Sequence, residues 1–377
     1  MKEIAIYIHI PFCESKCYYC DFCSYSNQDS IVDKYLKYLK TEIDIYSHIL
    51  KDYVVKTIFI GGGTPSYIDA KYILDIFNYL NKRLNLHNAI EISIEINPKT
   101  LNKEKLTVYK NVGINRLSLG VQSLDDTILS KLGRIHTRKD FLDTYRLLRN
   151  NGFNNINVDI MFNLPNQSIK DVINTLNEVI SLDVEHISYY SLKIEEGTAF
   201  YQMYKRSQLT LPNENEERLM YHKGIELLES SMYKHYEISN FAKKGYECKH
   251  NMFYWTVKPY IGIGLSAHSN INQQRYGNTG SFKDYFNDLD NLKLPATYRE
   301  TIDKATEMSE YMILGLRLID GIKKNNFKDR FGIDINKAFK DKLKILHSKG
   351  LLINNVHTVK LTAKGLDLSN RVFMELL

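Results

Sequence analysis

The sequence predicts an α/β fold, a partial (β/α)6 barrel, followed by a small winged-helix-like α+β domain. Six apolar, β-branched segments alternate with helical segments over residues 1–195, and polar or cysteine residues follow the ends of these segments. After residue 300, two helical segments precede a short hairpin. We therefore expect a barrel with a C-terminal extension over 1–295 and a winged-helix-like domain over 300–377.

The six strand–helix units follow one another from the N-terminus. β-Branched, apolar runs predict strands over 4–10, 54–60, 90–96, 116–120, 156–161 and 186–192. Apolar residues spaced by three and four predict helices over 31–50, 68–84, 102–111, 125–132, 138–151 and 168–182. Strands that alternate with helices in this way are typical of a parallel sheet, whose active site lies at the carboxyl ends of the strands.

The chain beyond residue 193 has a less regular pattern. Its predicted elements are a helix over 213–230, an aromatic segment over 236–260 and an apolar turn over 262–269. The C-terminal region is predicted to contain helices over 304–319, 335–349 and 363–377, with a hairpin formed by 351–354 and 359–361.

Composition and charge exclude several classes of protein. Apolar residues make up 44% of the 377 residues and charged residues 25%, which is ordinary for a globular protein. No apolar run approaches the roughly 18 residues that span a bilayer, and residues 1–12 do not resemble a signal peptide, so we expect a cytoplasmic protein. The net charge of +6 is scattered along the chain and does not predict a nucleic-acid partner.

Four of the five cysteines lie between Cys13 and Cys23, directly after the first predicted strand. Cys13, Cys17 and Cys20 have the spacing C-x3-C-x2-C, and three thiolates on one loop can hold an iron–sulfur cube with one iron open. A structural zinc site built from Cys13 with Cys17 and Cys20 with Cys23 is the alternative. Cys23 as a packing residue, or the whole set as buried free thiols, are further alternatives. Clustered cysteines in a reducing compartment are more often metal-binding or catalytic than disulfide-bonded, and we favour the cluster over zinc on the spacing, the position of the loop and the barrel together.

Polar residues and glycines occur at the ends of other predicted strands. Gly61–Gly63 follows the second strand, where glycine lets backbone approach a ligand closely, although a tight turn before a helix is the alternative. Its spacing matches neither a dinucleotide fingerprint nor a P-loop. Glu95 and Asp159 lie in otherwise apolar strands, where a carboxylate either faces a polar ligand or is buried at considerable cost.

The segment Tyr7-x-His9-Ile10-Pro11-Phe12-Cys13-x3-Cys17-x2-Cys20 resembles the radical S-adenosylmethionine (SAM) superfamily. It is most similar to the branch that contains oxygen-independent coproporphyrinogen III oxidase and the related haem chaperones of the HemW type. The resemblance covers nearly the whole chain, through further motifs at 61–65, 93–98, 119–122, 133–134, 159–165 and 195–198.

The resemblance implies two cofactors and the residues that bind them. Cys13, Cys17 and Cys20 are expected to hold a [4Fe–4S] cluster that binds SAM. The expected SAM pocket is lined by Gly62, Gly63, Thr64, Glu95, Gln122, Arg134 and Asp159. Tyr7, a core tyrosine in the alternative interpretation, is the one candidate for a catalytic role and would lie near SAM or the tetrapyrrole. An electron donor such as flavodoxin or ferredoxin is the expected redox partner.

Three departures favour a haem chaperone over the oxidase. The cysteine loop begins at residue 13, without the longer N-terminal segment of the oxidase. The fourth cysteine, Cys23, lies one residue further along than in the oxidase motif. The segment His250-Asn-x-x-Tyr254-Trp255 matches one characteristic of the chaperones. We therefore expect a cytoplasmic chaperone, monomeric or dimeric, that passes haem to haem-accepting proteins, with the oxidase as the alternative.

His250 is the candidate haem ligand, because a neutral imidazole binds haem iron. Tyr254 and Trp255 are expected to pack on a porphyrin face, and Cys248 and His268 are further candidates. A core histidine in an aromatic cluster is the alternative interpretation of His250. A third hypothesis, a nucleic-acid-binding regulator, is disfavoured because residues 300–377 carry 14 Lys/Arg against 10 Asp/Glu, too balanced for a DNA-binding surface.

Overall fold

A twelve-stranded mixed sheet forms the centre of the computed structural model, which describes residues 1–377. Its middle consists of six parallel strands: β1 (Lys2–Ile10), β2 (Tyr53–Gly62), β3 (Glu91–Ile96), β4 (Arg116–Gln122), β5 (Ile156–Phe162) and β6 (His186–Ser191). Each strand pairs with the next one along the chain. The predicted series of six strand–helix units is therefore confirmed.

The helices that join these strands bury apolar residues, all but Asp126–Lys131 in a core of 58 residues, whereas Ile128 of that helix lies in a separate cluster of six. These helices are Val32–Ile49, Ala70–Arg83, Lys103–Asn111, Asp126–Lys131, Arg138–Asn150 and Ile169–Ser181. Thr137 with Asp140, and Ser168 with Asp171, form capping boxes that begin two of these helices and so fix where the strand-to-helix turns end. No helix of the chain is both long enough and apolar enough to span a membrane.

Short strands from the extension lengthen the sheet at both edges. β7 (Lys234–Glu237) and β8 (Asn240–Ala242) lie beyond β6, with β8 antiparallel to it. On the other side, β9 (Tyr260–Ile263) pairs in parallel with β1, and β10 (His268–Ile271), β11 (Gln274–Asn278) and β12 (Ala296–Thr301) follow antiparallel. The outermost strands β7 and β12 do not pair, so the barrel is partial. The sequence analysis did not predict these strands, because segments of three to six residues show little periodicity.

Four helices belong to the extension: Ala199–Lys205, Glu214–Ser230, Lys249–Trp255 and Phe282–Asp290. The second confirms the helix predicted over 213–230, and the Asn213 side chain caps it. The predicted domain boundary at 295–300 stays a prediction, and residues 296–300 of that boundary belong to strand β12.

The C-terminal region has its own core of 14 buried residues between Met312 and Leu376. Its helices are Lys304–Gly315, Lys324–Phe331, Ile335–Ala338, Lys340–Ser348, Ala363–Asp367 and Ser369–Leu376. A three-stranded antiparallel sheet joins Ile322–Lys323 and Leu352–Asn354 to Thr358–Leu361, so the predicted α+β fold is confirmed. The helices predicted over 335–349 and 363–377 are each interrupted, because Phe339 and Leu368 depart from helical geometry.

Candidate cofactor-binding site

A cavity of about 530 Å³ lies inside the barrel. The cysteine loop, the parallel strands and the helix Lys249–Trp255 contribute to its wall. It is lined by every cluster and cofactor residue proposed from the sequence: Tyr7, Cys13, Cys17, Cys20, Gly62, Gly63, Thr64, Glu95, Gln122, Arg134, Asp159 and His250. The fold therefore brings side chains from all parts of the proposed site to one cavity.

The cysteine loop divides its four thiols into two groups. Cys13, Cys17 and Cys20 line the cavity, whereas Cys23 does not. The Cys23 Sγ atom lies 3.8 Å from the Gly280 carbonyl oxygen and 3.9 Å from the Tyr25 hydroxyl. This separation supports the prediction that Cys23 is not a cluster ligand.

The three remaining thiols are surrounded by groups that suit a metal cluster. The Thr64 hydroxyl donates to Cys13 Sγ at 3.5 Å, and Arg134 Nη1 donates to Cys17 Sγ at 3.6 Å. The Thr64 hydrogen bond favours the thiolate form of Cys13, which is the form that binds metal. Burial raises the pKa of Cys13 and of Cys20, so positive charge is needed to ionise them. The number and chemistry of the thiols fit a [4Fe–4S] cluster held at three corners, whereas no three His, Cys, Asp or Glu side chains are placed to hold a single metal ion.

The glycines at the end of β2 are required by close contacts. Gly62 has φ +118°, and a Cβ atom on it would lie 2.7 Å from the His9 ring. A Cβ atom on Gly63 would lie 2.8 Å from both Cys13 Sγ and the Phe12 carbonyl oxygen. Any larger residue would therefore displace the cysteine loop, which explains the glycines physically.

Glu95 on β3 and Asp159 on β5 present two carboxyl groups to the cavity. Glu95 accepts a hydrogen bond from the Gly62 backbone N–H at 3.1 Å, and Asp159 accepts one from the Asn157 amide at 2.6 Å. Burial, reinforced by the negative charge of Asp159, raises the pKa of Glu95 to about 8, and burial also raises the pKa of Asp159. Such a pair suits a ligand with an ammonium group and hydroxyl donors.

The Glu95→Gln variant is expected to stabilise the ligand-free protein at high pH. The carboxyl pKa is about 8 in the folded chain and about 4.3 in an unfolded one. Between these values the folded state holds a proton that the unfolded state has lost, so the stability of the wild type falls as pH rises. Thermal unfolding should show the variant melting about 2–4 °C or more above the wild type at pH 8, with the difference shrinking towards pH 5.

The exposed Glu229→Gln change, which removes the same charge at the surface, is the matched control. Its effect on the melting temperature should not vary with pH over this range. If the melting temperatures of Glu95→Gln and the wild type differed by the same amount at every pH, the raised pKa of Glu95 would not be the cause.

Arg134 is held beside the cysteine loop by residues that the sequence analysis did not name. Arg134 Nη2 donates to Asn97 Oδ1 at 2.9 Å and to the Gly120 carbonyl, while the Asn97 amide donates to Thr64 Oγ1 at 2.9 Å. Arg134 Nε is buried and has no partner, which leaves one donor for a ligand. Asn97 follows β3 directly, and this position at the end of a strand is the signal in the sequence that could have identified it as a site residue.

Gln122 and Tyr7 are joined to the wall of the cavity by hydrogen bonds. Gln122 accepts one from the Tyr190 hydroxyl at 3.0 Å. The Tyr7 hydroxyl donates to His9 Nδ1 at 3.0 Å, and His9 Nε2 donates to the Cys23 carbonyl at 2.7 Å. Tyr7 thus connects the cavity to the cysteine loop through His9.

His250 enters the cavity from the amino ends of the strands. Glu91, the first residue of β3, accepts hydrogen bonds from the backbone N–H groups of Lys249 and His250, both at 2.9 Å, and so holds the start of their helix. His250 Nδ1 lies 2.9 Å from the Thr57 hydroxyl and Nε2 lies 2.9 Å from the Tyr254 hydroxyl. Burial lowers the pKa of His250 to about 3, so the ring is neutral. Ligation of haem iron by His250 would require one of these hydrogen bonds to open.

The remaining haem candidates lie in three different places. Cys248 and Tyr254 line the barrel cavity with His250. Trp255 faces a separate cavity, so it does not pack beside Tyr254 on one porphyrin face. His268 is exposed on β10, where its ring is hydrogen-bonded to the Tyr298 hydroxyl at 3.0 Å, outside both cavities.

Comparisons with known proteins give matches that cover the whole chain. The Radical SAM superfamily matches residues 7–179, and the HemN C-terminal domain matches residues 302–368. The heme chaperone HemW of Bacillus subtilis (strain 168) is 40% identical over 370 residues, which cover 97% of each chain. That of Lactococcus lactis subsp. lactis (strain IL1403) is 34% identical, covering 100% of this chain and 98% of the relative. Coproporphyrinogen III oxidase (HemN) from Escherichia coli has a similar fold, with a TM-score of 0.87 and 22% identity over 100% of this chain and 90% of that one.

Proposed function

We propose that this chain, which belongs to the HemW family of the radical SAM superfamily, is a cytoplasmic haem chaperone. It binds haem and delivers it to haem-accepting proteins. The observation that carries the proposal is the 40% identity to the heme chaperone HemW of Bacillus subtilis over 97% of both chains. The barrel cavity adds support, because it gathers the residues expected to bind a [4Fe–4S] cluster and SAM.

Residues of the barrel cavity have distinct tasks in this proposal. Cys13, Cys17 and Cys20 would hold the cluster. When bound, the cluster and SAM supply one-electron radical chemistry. Arg134 donates a hydrogen bond to Cys17 Sγ at 3.6 Å and so would lie beside the cluster.

The other residues of the cavity would orient SAM. Gly62 and Gly63, next to Thr64, let backbone approach it. Glu95 and Asp159 present carboxyl oxygens to ammonium and hydroxyl donors, while Gln122 adds an amide held by Tyr190. Electrons would come from a donor such as flavodoxin or ferredoxin, and the chaperone would act as a monomer or dimer.

Haem binding in this proposal does not depend on His250. The role of His250 as haem ligand stays a prediction, because the ring is buried and both of its nitrogens are hydrogen-bonded. The neutral ring is compatible with ligation of iron. Its hydrogen bonds and its aromatic neighbours Phe59 and Tyr254 are also what a histidine in a protein core would have.

Oxygen-independent coproporphyrinogen III oxidase is the second candidate function, since an enzyme of that name has the same fold. A paired assay on the anaerobically reconstituted protein separates the two. We expect haem to bind at about one per chain, and coproporphyrinogen III to remain unchanged when SAM and a reductant are added. Conversion of its propionates to vinyl groups at enzyme-like turnover would overturn the chaperone proposal. Lack of any haem binding would overturn it as well.

A further inference from the structure

A second cavity, of about 450 Å³, lies between the helix Lys249–Trp255 and the C-terminal region. Trp255, Met252, Tyr311 and Ile322 form part of its wall. It shares no lining residue with the barrel cavity. Its size is typical of small-molecule sites, and its lining combines apolar and aromatic residues with five charged ones, Lys234, Glu247, Lys249, Asp320 and Lys323.

The seven-residue helix Lys249–Trp255 separates the two cavities. His250, Asn251 and Tyr254 face the barrel, whereas Lys249, Met252 and Trp255 face the second cavity. The spacing of three residues between Lys249, Met252 and Trp255 puts them on one side of the helix.

Charges at the rim of this cavity are incompletely paired. Lys234 forms an ion pair with Asp320 at 2.8 Å. Lys249 and Lys323 are exposed and form no ion pair within the chain. Glu247 also lines the cavity, so three lysines stand against two carboxylates and the rim keeps a net positive charge. Two ammonium groups without an ion pair therefore stand beside an apolar, aromatic wall, which is complementary to a flat apolar molecule with two carboxylates.

The aromatic wall is held in place, and it contains a donor for iron. The guanidinium of Arg317 lies 4.3 Å from the centroid of the Trp255 ring and also bonds Glu237 at 3.2 Å, which fixes the indole. Met252 is the only residue of the wall with a sulfur or imidazole donor, and a methionine thioether is a known ligand of haem iron.

We propose that this second cavity is the haem site of the protein. The tetrapyrrole would pack against Trp255 with Met252 facing its iron, and the two propionates would lie on Lys249 and Lys323. The inference rests on the proposed chaperone function and specifies where its client binds. Because both lysines are exposed at the rim, the propionate edge of the haem would be open to a haem-accepting protein.

The lysines give the first test, by absorbance titration of the reconstituted full chain with haem. The double variant Lys249→Gln/Lys323→Gln is expected to bind haem about tenfold more weakly, through loss of two charge-assisted hydrogen bonds. Lys340→Gln/Lys344→Gln removes two exposed, unpaired lysines elsewhere in the C-terminal region and should change affinity by less than about twofold. Equal effects of the two double variants would overturn the proposal.

Haem dimethyl ester gives a second test, whose comparison on the wild type does not depend on the folding of a variant. The wild type should bind the ester about tenfold more weakly than haem, whereas the Lys249→Gln/Lys323→Gln variant should bind both alike. Met252→Leu should shift the haem absorbance maximum, and His250→Gln should not. A shift with His250→Gln alone would place the iron in the barrel instead. A wild type that binds haem but is insensitive to esterification would overturn this site and leave the chaperone function standing, whereas no haem binding at all would overturn both.

Discussion

Replacement of Cys13, Cys17 or Cys20 by alanine is expected to abolish cluster binding. After anaerobic reconstitution, the wild type should contain roughly four iron atoms and four labile sulfides per chain, and each variant close to none. The effect should be this large because all three thiols lie on one loop at the same cavity, whereas the other thiol that lines it, Cys248, donates to the Glu91 carboxylate at 3.5 Å. Iron and sulfide analysis, with the visible absorbance of the cluster, measures the result.

Cys23→Ala is the matched control, because Cys23 is on the same loop but its thiol lies by the Gly280 carbonyl instead of in the cavity. This variant should keep nearly the full iron content. Loss of iron in Cys23→Ala as complete as in the other three would mean that four thiols are ligands. If the wild type contained one zinc per chain and no sulfide, the three cysteines would belong to a structural zinc site and not to a cluster.

Glu91→Ala is expected to reduce the free energy of unfolding by about 3–5 kcal/mol. The Glu91 side chain is 3% exposed and accepts hydrogen bonds from the backbone N–H groups of Lys249 and His250. Its charge also interacts with Arg116, which is 2% exposed at the start of β4. Removal of the carboxylate leaves a buried guanidinium without its counter-charge and the start of a helix without its acceptor.

Denaturant unfolding of the ligand-free protein measures this loss. Glu91→Gln retains one acceptor oxygen and the side-chain volume, so its cost should be smaller, about 1–3 kcal/mol. The exposed Glu229→Ala change should cost less than about 0.5 kcal/mol. If Glu91→Ala and Glu229→Ala were equally mild, Glu91 would not be the residue that holds the helix against the barrel.

The strand and helix pattern of residues 1–192 could be predicted because each element there has a regular apolar face. Glu95, Gln122 and Asp159 could be placed at one site because the carboxyl ends of parallel strands lie on the same side of the sheet. The strands Tyr260–Ile263 and Asn240–Ala242, which flank the six parallel strands, were missed. They are short, and their partners β1 and β6 lie tens to hundreds of residues away in the chain.

The amino-acid sequence by itself determined the family, the order of the parallel strands and the three cysteines proposed as cluster ligands. The strand order depends on periodicity within short segments, whereas the family and the proposed ligands depend on motifs that resemble those of the radical SAM superfamily. Only the tertiary structure decided which cavity each face of the helix Lys249–Trp255 meets. It separated His250 and Tyr254 from Trp255, although all three lie within six consecutive residues. The physical reason is that successive residues of a helix point in different directions. The residues that each side chain contacts come from distant strands or from the C-terminal region.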